Sequence, residues 1–345
     1  MIEGREAMGK YRVRALAIAA GALLLGGCGE RKQEMAGNVR VGVTCYDLSD
    51  TFISELLDCL RDTLARQEEI SVTVRDAAGS QRTQDDQVEE MIEEGCRVLC
   101  VNLVDRADPS GIIDLARKHN VPIIFFNREP VAEDLKQWDQ LYYVGADAKQ
   151  SGTMQGELAA DLIRSDPAID RNRDGKIQYV VLEGEPGHQD AIIRTESAVD
   201  TLKNEGVELE KLSWQIANWN RAQAQNRMTQ MISQYQTQIE LVLANNDDMA
   251  LGAMDAYGKT NYTESEIPVF FGVDGTSVGL EAVAEGRLAA TVYNDKEGQT
   301  EAMAKLIQAI ISGQGMEELS FQDDQYLYLP YDKVTKENVS LFPKK

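Results

Sequence analysis

The run RVLCVNLVDRADPSGIIDLARKHNVPIIFF, residues 97–126, decides the fold. Arg97–Val101 and Pro122–Phe126 are short β-rich segments, of the kind that forms strands buried between helices. Between them Pro109–His119 carries a helical pattern, with Asp108 as its N-cap, proline at the first helical position and Asn120 before the next strand. Strand, helix and strand in this order predict two parallel strands joined by a crossover helix.

The same alternation extends in both directions. Strands are expected at Arg40–Tyr46, Ile70–Arg75 and Leu141–Val144, and later at Ile177–Leu182, Leu241–Ala244, Val269–Gly272 and Ala289–Val292. The chain has 345 residues, more than the roughly 100–200 of one ordinary core, so two domains are the default. The fold class is therefore α/β, as two lobes. The first series ends near Gly145–Asp147. A helix at Lys296–Ser312 and a late strand near Gln325–Leu329 return to the first lobe. That gives an N-terminal lobe of 40–145 with 296–329 and a C-terminal lobe of 146–295 with 330–345. The expected hinge has several strands, at Gly145–Asp147, Asn294–Asp295 and Pro330–Tyr331.

The N-terminus adds a location. Lys10, Arg12 and Arg14 precede the apolar run Ala15–Leu25, which falls short of the ~18–20 residues a membrane span requires. Residues 1–27 read as an export signal. Leu25-Gly26-Gly27-Cys28 resembles a bacterial lipobox, which implies lipidation of Cys28 and an extracytoplasmic protein anchored to the cell membrane. Residues 28–39 form a polar tether.

Lys plus Arg number 35 against 57 Asp plus Glu, a net charge of −22, which repels phosphate backbones and argues against a nucleic-acid partner. Cys45, Cys59, Cys96 and Cys100 lack metal-ligand spacing, and with only His119 and His188 in the chain no zinc site is expected. On one strand Cys96 and Cys100 would sit roughly 13 Å apart, too far for a bridge. Buried free thiols are expected, although an oxidising compartment leaves other pairings open.

In open α/β sheets ligands bind beyond the carboxyl ends of the strands. Asp50 and Phe52 follow the first strand, Asn102 the third, and His188 with Asp190 the Ile177 strand; Asn246, Asp274 and Asn294 follow the last three. Each alone is an ordinary turn or cap residue. Together they offer donors and acceptors over both lobes, an inventory suited to a polyhydroxylated ligand. Phe52 and Trp219 are candidates for the two apolar faces of a pyranose, with Trp138 and Trp214 left to the core.

Gly42-Val43-Thr44, Asp50-Thr51-Phe52, Asn102-Leu103-Val104-Asp105, Phe126-Asn127-Arg128-Glu129-Pro130, Tyr143-Val144-Gly145, Gly184-Glu185-Pro186-Gly187-His188, Ala244-Asn245-Asn246-Asp247 and Phe271-Gly272-Val273-Asp274 resemble the galactose/glucose-binding protein family of bacterial ABC sugar uptake. The resemblance runs through nearly everything after residue 40. It implies a type I periplasmic-binding-protein fold, with two similar doubly wound parallel-sheet lobes, and a monomer that binds D-galactose or D-glucose. The implied partners are an ABC sugar permease and, in some members, a chemoreceptor or membrane sensor. The sugar contacts it implies are Asp50, Phe52, Asn102, His188, Asp190, Arg194, Trp219, Asn246, Asp274 and Asn294.

Asp170-Arg171-Asn172-Arg173-Asp174-Gly175-Lys176-Ile177-Gln178 follows the opening of an EF-hand loop, with oxygens from Asp170, Asn172, Asp174, the Lys176 carbonyl and Gln178. Val181 stands where the usual twelfth-position glutamate would be. The resemblance implies that Glu240 completes the set, for a structural Ca²⁺.

Two other classes are weighed against this. A glycosidase would use carboxyl pairs among Asp50, Asp190 and Asp274, but a site rich in neutral amides offers no evident acid. A sugar-responsive repressor would begin with a helix-turn-helix, where this chain carries an export signal.

Overall fold

The computed structural model describes residues 38–67 and 69–343. The signal segment, Cys28 and the tether before Asn38 lie outside the described residues.

The first lobe opens with β1 (Val39–Cys45), α1 (Thr51–Ala65), β2 (Ile70–Asp76), α2 (Gln81–Glu93), β3 (Val98–Val101), α3 (Ser110–His119), β4 (Ile123–Phe126), the short α4 (Ala132–Leu135) and β5 (Leu141–Ala146). The second follows with α5 (Ala148–Ser165), β6 (Ile177–Glu183), α6 (Gln189–Asn204), β7 (Leu209–Ile216), α7 (Arg221–Tyr235), β8 (Leu241–Ala244), α8 (Asp247–Tyr257), β9 (Val269–Phe271), α9 (Ser277–Glu285) and β10 (Thr291–Asn294). Then α10 (Lys296–Ser312) and β11 (Tyr326–Leu329) rejoin the first lobe, and β12 (Tyr331–Val334) returns to the second.

The first sheet runs β11-β5-β4-β3-β1-β2, and the second β7-β6-β8-β9. Every pair in both is parallel. β10 pairs antiparallel with β12 and is bridged to the second sheet through Phe271–Ala290 and Asp274–Tyr293. The chain thus crosses between sheets at 146–148, 294–296 and 329–331.

Period-two alternation explains the unbroken apolar runs. Cys100, Ile124 and Phe126 pack on one face of the first sheet with Leu56 and Leu60 of α1 and Leu306 of α10. Leu99, Val101, Ile123 and Phe125 pack on the other with Met91 and Ile112. Because helices cover both faces, both sets must be apolar. Leu56 and Leu57 have no exposure, and truncating such a side chain to alanine costs about 2–5 kcal/mol. In the second lobe Val180 and Leu182 face one layer, Tyr179 and Val181 the other.

Three expectations shift. α3 is capped by Pro109 without a side-chain bond, so Asp108 is not its N-cap; Asn120 closes it in the left-handed region at φ 54°. The strand expected at Ala289–Val292 runs Thr291–Asn294 instead. β7 and β12 were not expected. β7 is an edge strand whose Glu210 and Lys211 are exposed, and its mixed composition hides the period. Cys45, Cys59, Cys96 and Cys100 are buried and, among the described residues, form no disulfide, and burial pushes the Cys45 thiol up to about 12. Among the described residues no helix is long and apolar enough to cross a membrane.

Candidate ligand-binding cleft

The carboxyl ends of β1, β4, β6, β7, β8 and β9 meet between the lobes. Their loops build a cavity walled by Tyr46, Asp50, Phe52, Ile53, Asn127 and Arg128 from the first lobe, and by His188, Asp190, Arg194, Trp219, Asn246 and Asp274 from the second. It measures ≈30 Å³, room for about one water molecule. A sugar ring therefore enters only when the lobes part.

The lobes touch around this cavity. Thr51 Oγ1 donates to Asp248 Oδ2 at 2.6 Å, and Ser277 N to Glu55 Oε1 at 2.9 Å. Arg128 of the first lobe pairs with Glu185 of the second at 2.9 Å. The arrangement is a closed one.

Helix starts position the polar walls. Asp50 caps α1, where Oδ1 accepts from Ile53 N at 3.1 Å and Oδ2 from the Tyr46 hydroxyl at 2.5 Å. Asn246 caps α8 through Met249 N at 2.9 Å, and its amide nitrogen donates to the Trp219 carbonyl at 3.2 Å. Each side chain is thus fixed by its own backbone before any ligand arrives. Arg194 is held by the Asn245 carbonyl and the Tyr331 hydroxyl, both at 2.9 Å, and lies 3.5 Å from Asp274 Oδ1.

Trp219 sits in the left-handed region at φ 58°, directly after Asn218 at 51°, a conformation non-glycine residues adopt at a cost. The turn lays the indole against Gly184, where a Cβ would meet Trp219 Cζ2 at 2.2 Å. His188 meets the same indole edge-on, with ring centres 5.2 Å apart. Asp274 holds φ 109°, fixed by its backbone bonds with Val292 and Asn294.

Burial governs the charges. It raises the Asp50 and Asp190 carboxyls, and raises Asp274 well above the usual range against the pull of Arg194. Burial, aided by Arg128 and Arg194, holds His188 well below its ordinary value, so its imidazole is neutral. Burial pulls Arg194 down, but Tyr331, Asp274 and Asp190 outweigh it and carry the guanidinium up. His188 Nδ1 and Arg194 Nε are buried without hydrogen-bond partners. Leaving such atoms unmet costs about 1–3 kcal/mol each, and a ligand hydroxyl relieves it.

Eight of the ten expected sugar contacts line the cavity. Asn102 and Asn294 do not. Asn102 has no exposure, and its amide is consumed behind the wall by Tyr46 N, the Phe126 carbonyl and Asn127 Oδ1, at 3.2, 3.1 and 3.2 Å. Asn294 is 2% exposed and accepts from Gln299 Nε2 at 2.6 Å. Conversely, Tyr46, Ile53, Asn127 and Arg128 line the cavity unanticipated. Asn127 and Arg128 follow β4, so the strand-end rule applied to that strand identifies them.

In the 170–178 loop, Asp174 N donates to Asn172 Oδ1 and Lys176 N to Asp174 Oδ1, both at 2.8 Å. Asp170 accepts from Asp174 N and Gly175 N at 3.2 and 3.0 Å. Glu240, 2% exposed, reaches in from the start of β8 and accepts from Arg171 N and Gln178 N at 2.7 and 3.1 Å. Asn172 and Gln178 donate amide nitrogens to Asp174 at 3.0 and 2.9 Å. Rotating either amide about its last bond would present oxygen instead. Among the described residues no three His, Cys, Asp or Glu side chains form a metal-ligating group. The donor set is all-oxygen and amide-rich, a chemistry that fits Ca²⁺ rather than a transition metal.

Residues 41–315 match the model of a periplasmic binding protein domain. The D-galactose/methyl-galactoside binding periplasmic protein of Haemophilus influenzae is 35% identical over 319 residues, 92% of this chain and 95% of that protein. A putative rhizopine-binding protein of Rhizobium meliloti is 28% identical over 308 residues, 88% of this chain and 93% of its own length. An ABC transporter solute binding protein from Bacillus halodurans, solved with bound myo-inositol, superposes with a TM-score of 0.74 at 28% identity, covering 88% of this chain and 97% of that one.

Proposed function

The chain belongs to the periplasmic binding protein domain family, whose members work outside the cytoplasm as transport binding proteins and not as enzymes, and on that premise we propose that it captures a hexose, D-galactose or D-glucose, and delivers it to an ABC permease. The observation that carries this reading is the cavity itself, where carboxylates, amides and two guanidinium groups from the two lobes, with a neutral imidazole, surround the aromatic rings of Tyr46, Phe52 and Trp219. Such a wall matches an uncharged ring bearing several hydroxyls, each able to donate and accept. Support for a hexose comes from the Haemophilus influenzae relative, named for galactose and methyl-galactoside. The bound inositol and the rhizopine name among other relatives mark the competing polyols.

In this reading the sugar bridges the lobes. Asp50 and Phe52 meet it from the first, and His188, Asp190, Arg194, Trp219, Asn246 and Asp274 from the second. Because contacts to both lobes exist only when they are closed, the sugar favours that state by its differential affinity. Closure turns about the three crossings, with 40–145 and 296–329 moving against 146–295 and 330–345. A permease then distinguishes loaded from empty protein.

Two further features belong to the proposal. Cys28, lipidated, ties the protein to the outer face of the membrane. A structural Ca²⁺ is held by Asp170, Asn172, Asp174, the Lys176 carbonyl, Gln178 and Glu240, fastening the entry of β6 to that of β8.

Calorimetry against D-galactose, D-glucose, D-ribose, L-arabinose and myo-inositol tests the ligand. A hexose bound at least ~100-fold more tightly than the pentoses and inositol is expected, about 2.7 kcal/mol of discrimination. Inositol or a pentose binding best would overturn the hexose assignment.

A further inference from the structure

Thr51 and Glu55 stand one turn apart on α1, so their side chains share one face of the helix. That face meets the starts of two helices of the second lobe. Thr51 Oγ1 donates at 2.6 Å to Oδ2 of Asp248, which lies in the first turn of α8. Glu55 Oε1 accepts at 2.9 Å from the backbone amide of Ser277, the first residue of α9. Thr51, Glu55, Asp248 and Ser277 all lie outside the walls of the ligand cavity.

The Glu55 contact draws on three elements. A helix leaves its first amides without partners of its own. In α9 the Thr276 side chain caps Gly279 N at 3.2 Å, while Ser277 N turns to the carboxylate of the opposite lobe. The helix dipole also favours a negative charge at that position. Lys296, 1% exposed at the start of α10, pairs with Glu55 Oε2 at 2.9 Å and reaches the Gly275 carbonyl at 3.5 Å. The carboxylate is thus held by a buried cation through one oxygen and meets α9 with the other.

We propose that this face of α1 is a clasp, in which Thr51 and Glu55 act as positioning residues that hold the lobes closed without touching the ligand. A ligand that binds the closed form gains from whatever populates that form, so the clasp multiplies the affinity for every ligand by one common factor. The cavity walls set which ligand binds, and the clasp sets how long it is held. Arg128 differs in kind, because it joins the lobes and also walls the cavity, so its loss mixes the two effects. The inference goes beyond the hexose reading, since it holds for whichever polyol the cleft accepts.

Ser277→Pro removes the donor while sparing α9. Proline suits the first position of a helix, whose N–H the helix itself does not use. Thr276 before it is already extended, at φ −60° and ψ 157°, as a residue preceding proline must be. Calorimetry with D-galactose, D-glucose, D-ribose, L-arabinose and myo-inositol is expected to show every ligand that binds weakened alike, by about tenfold or more, the effect of losing a hydrogen bond to a charged acceptor. Thr51→Val, on the other lobe, is expected to cause the same pattern at about threefold or more. The loss belongs in the release rate, and the thermal midpoint without ligand is expected to move by less than ~2 °C. Unchanged affinity in Ser277→Pro, or ratios between ligands that shift by more than ~threefold, would overturn the clasp. If Ser277→Pro melts early, Thr51→Val decides by the same comparison. A wild type that prefers inositol or a pentose removes the hexose reading and leaves the clasp to be read on that ligand. A wild type that binds none of the five removes the capture reading and the clasp with it.

Discussion

Arg128 of the first lobe and Glu185 of the second pair at 2.9 Å across the mouth of the cleft, with the arginine 3% exposed. The guanidinium lies 3.4 Å above the centre of the Tyr46 ring, whose hydroxyl donates to Asp50 at 2.5 Å. One residue thus joins lobe closure to the orientation of the Asp50 carboxylate in the cavity wall.

Arg128→Met is expected to lower hexose affinity by roughly 10- to 100-fold, because truncating one partner of a closely paired charge costs about 2–5 kcal/mol when buried and less where the partner is part-exposed. The loss belongs mainly in the dissociation rate, since the pair forms only after the lobes meet. Glu185→Gln should lose less. Stopped-flow measurement of sugar release distinguishes this from a slower association, which would contradict the latch.

Gly184→Ala is expected to weaken binding through Trp219 alone. The new methyl would stand 2.2 Å from the indole, and overpacking of this kind costs about 1–3 kcal/mol. A shifted tryptophan emission with a roughly tenfold or greater loss of affinity is the expected signature. Unchanged binding would mean that the indole is not a sugar platform.

Burial holds the Asp50, Asp190 and Asp274 carboxyls above their ordinary values. The folded protein therefore binds these protons more readily than the unfolded chain, and their contribution to stability declines as pH rises from the carboxylate range through the raised values. Sugar hydroxyls donating to the carboxylates draw those values back down. Binding should release protons in that window and none at higher pH, read as a buffer-dependent enthalpy in calorimetry. Proton uptake would contradict it.

Calcium is expected to raise the thermal midpoint. At a hundredfold excess over Kd a ligand specific to the folded state adds about 2.7 kcal/mol, some 4 °C for a chain of this size. Glu240→Gln should abolish the response while leaving sugar binding in place. Equal midpoints in calcium and in chelator would exclude the metal.

The fold was readable because each buried strand is short, apolar and followed by a polar strand end. Arg97–Val101 and Pro122–Phe126 carry that signal; β7 does not, because Glu210 and Lys211 at an exposed edge break it. At the site, the strand-end rule located Asp50, His188 and Asn246 but not the state of their side chains. Asn102 obeys the rule, yet its amide is spent on Tyr46, Phe126 and Asn127. The same rule applied to β4 reaches Arg128, but its contact with Glu185, 57 residues away and on the other lobe, is encoded by no local pattern.

The most direct measurement is a calorimetric titration of the preferred hexose into the wild type, Asp50→Ala and Trp219→Ala. These residues belong to different lobes and line one cavity. Each variant is expected to lose about 100-fold or more in affinity, the effect of removing a central anchor worth at least ~2 kcal/mol. If either binds the sugar as tightly as the wild type, the hexose is not held between the lobes.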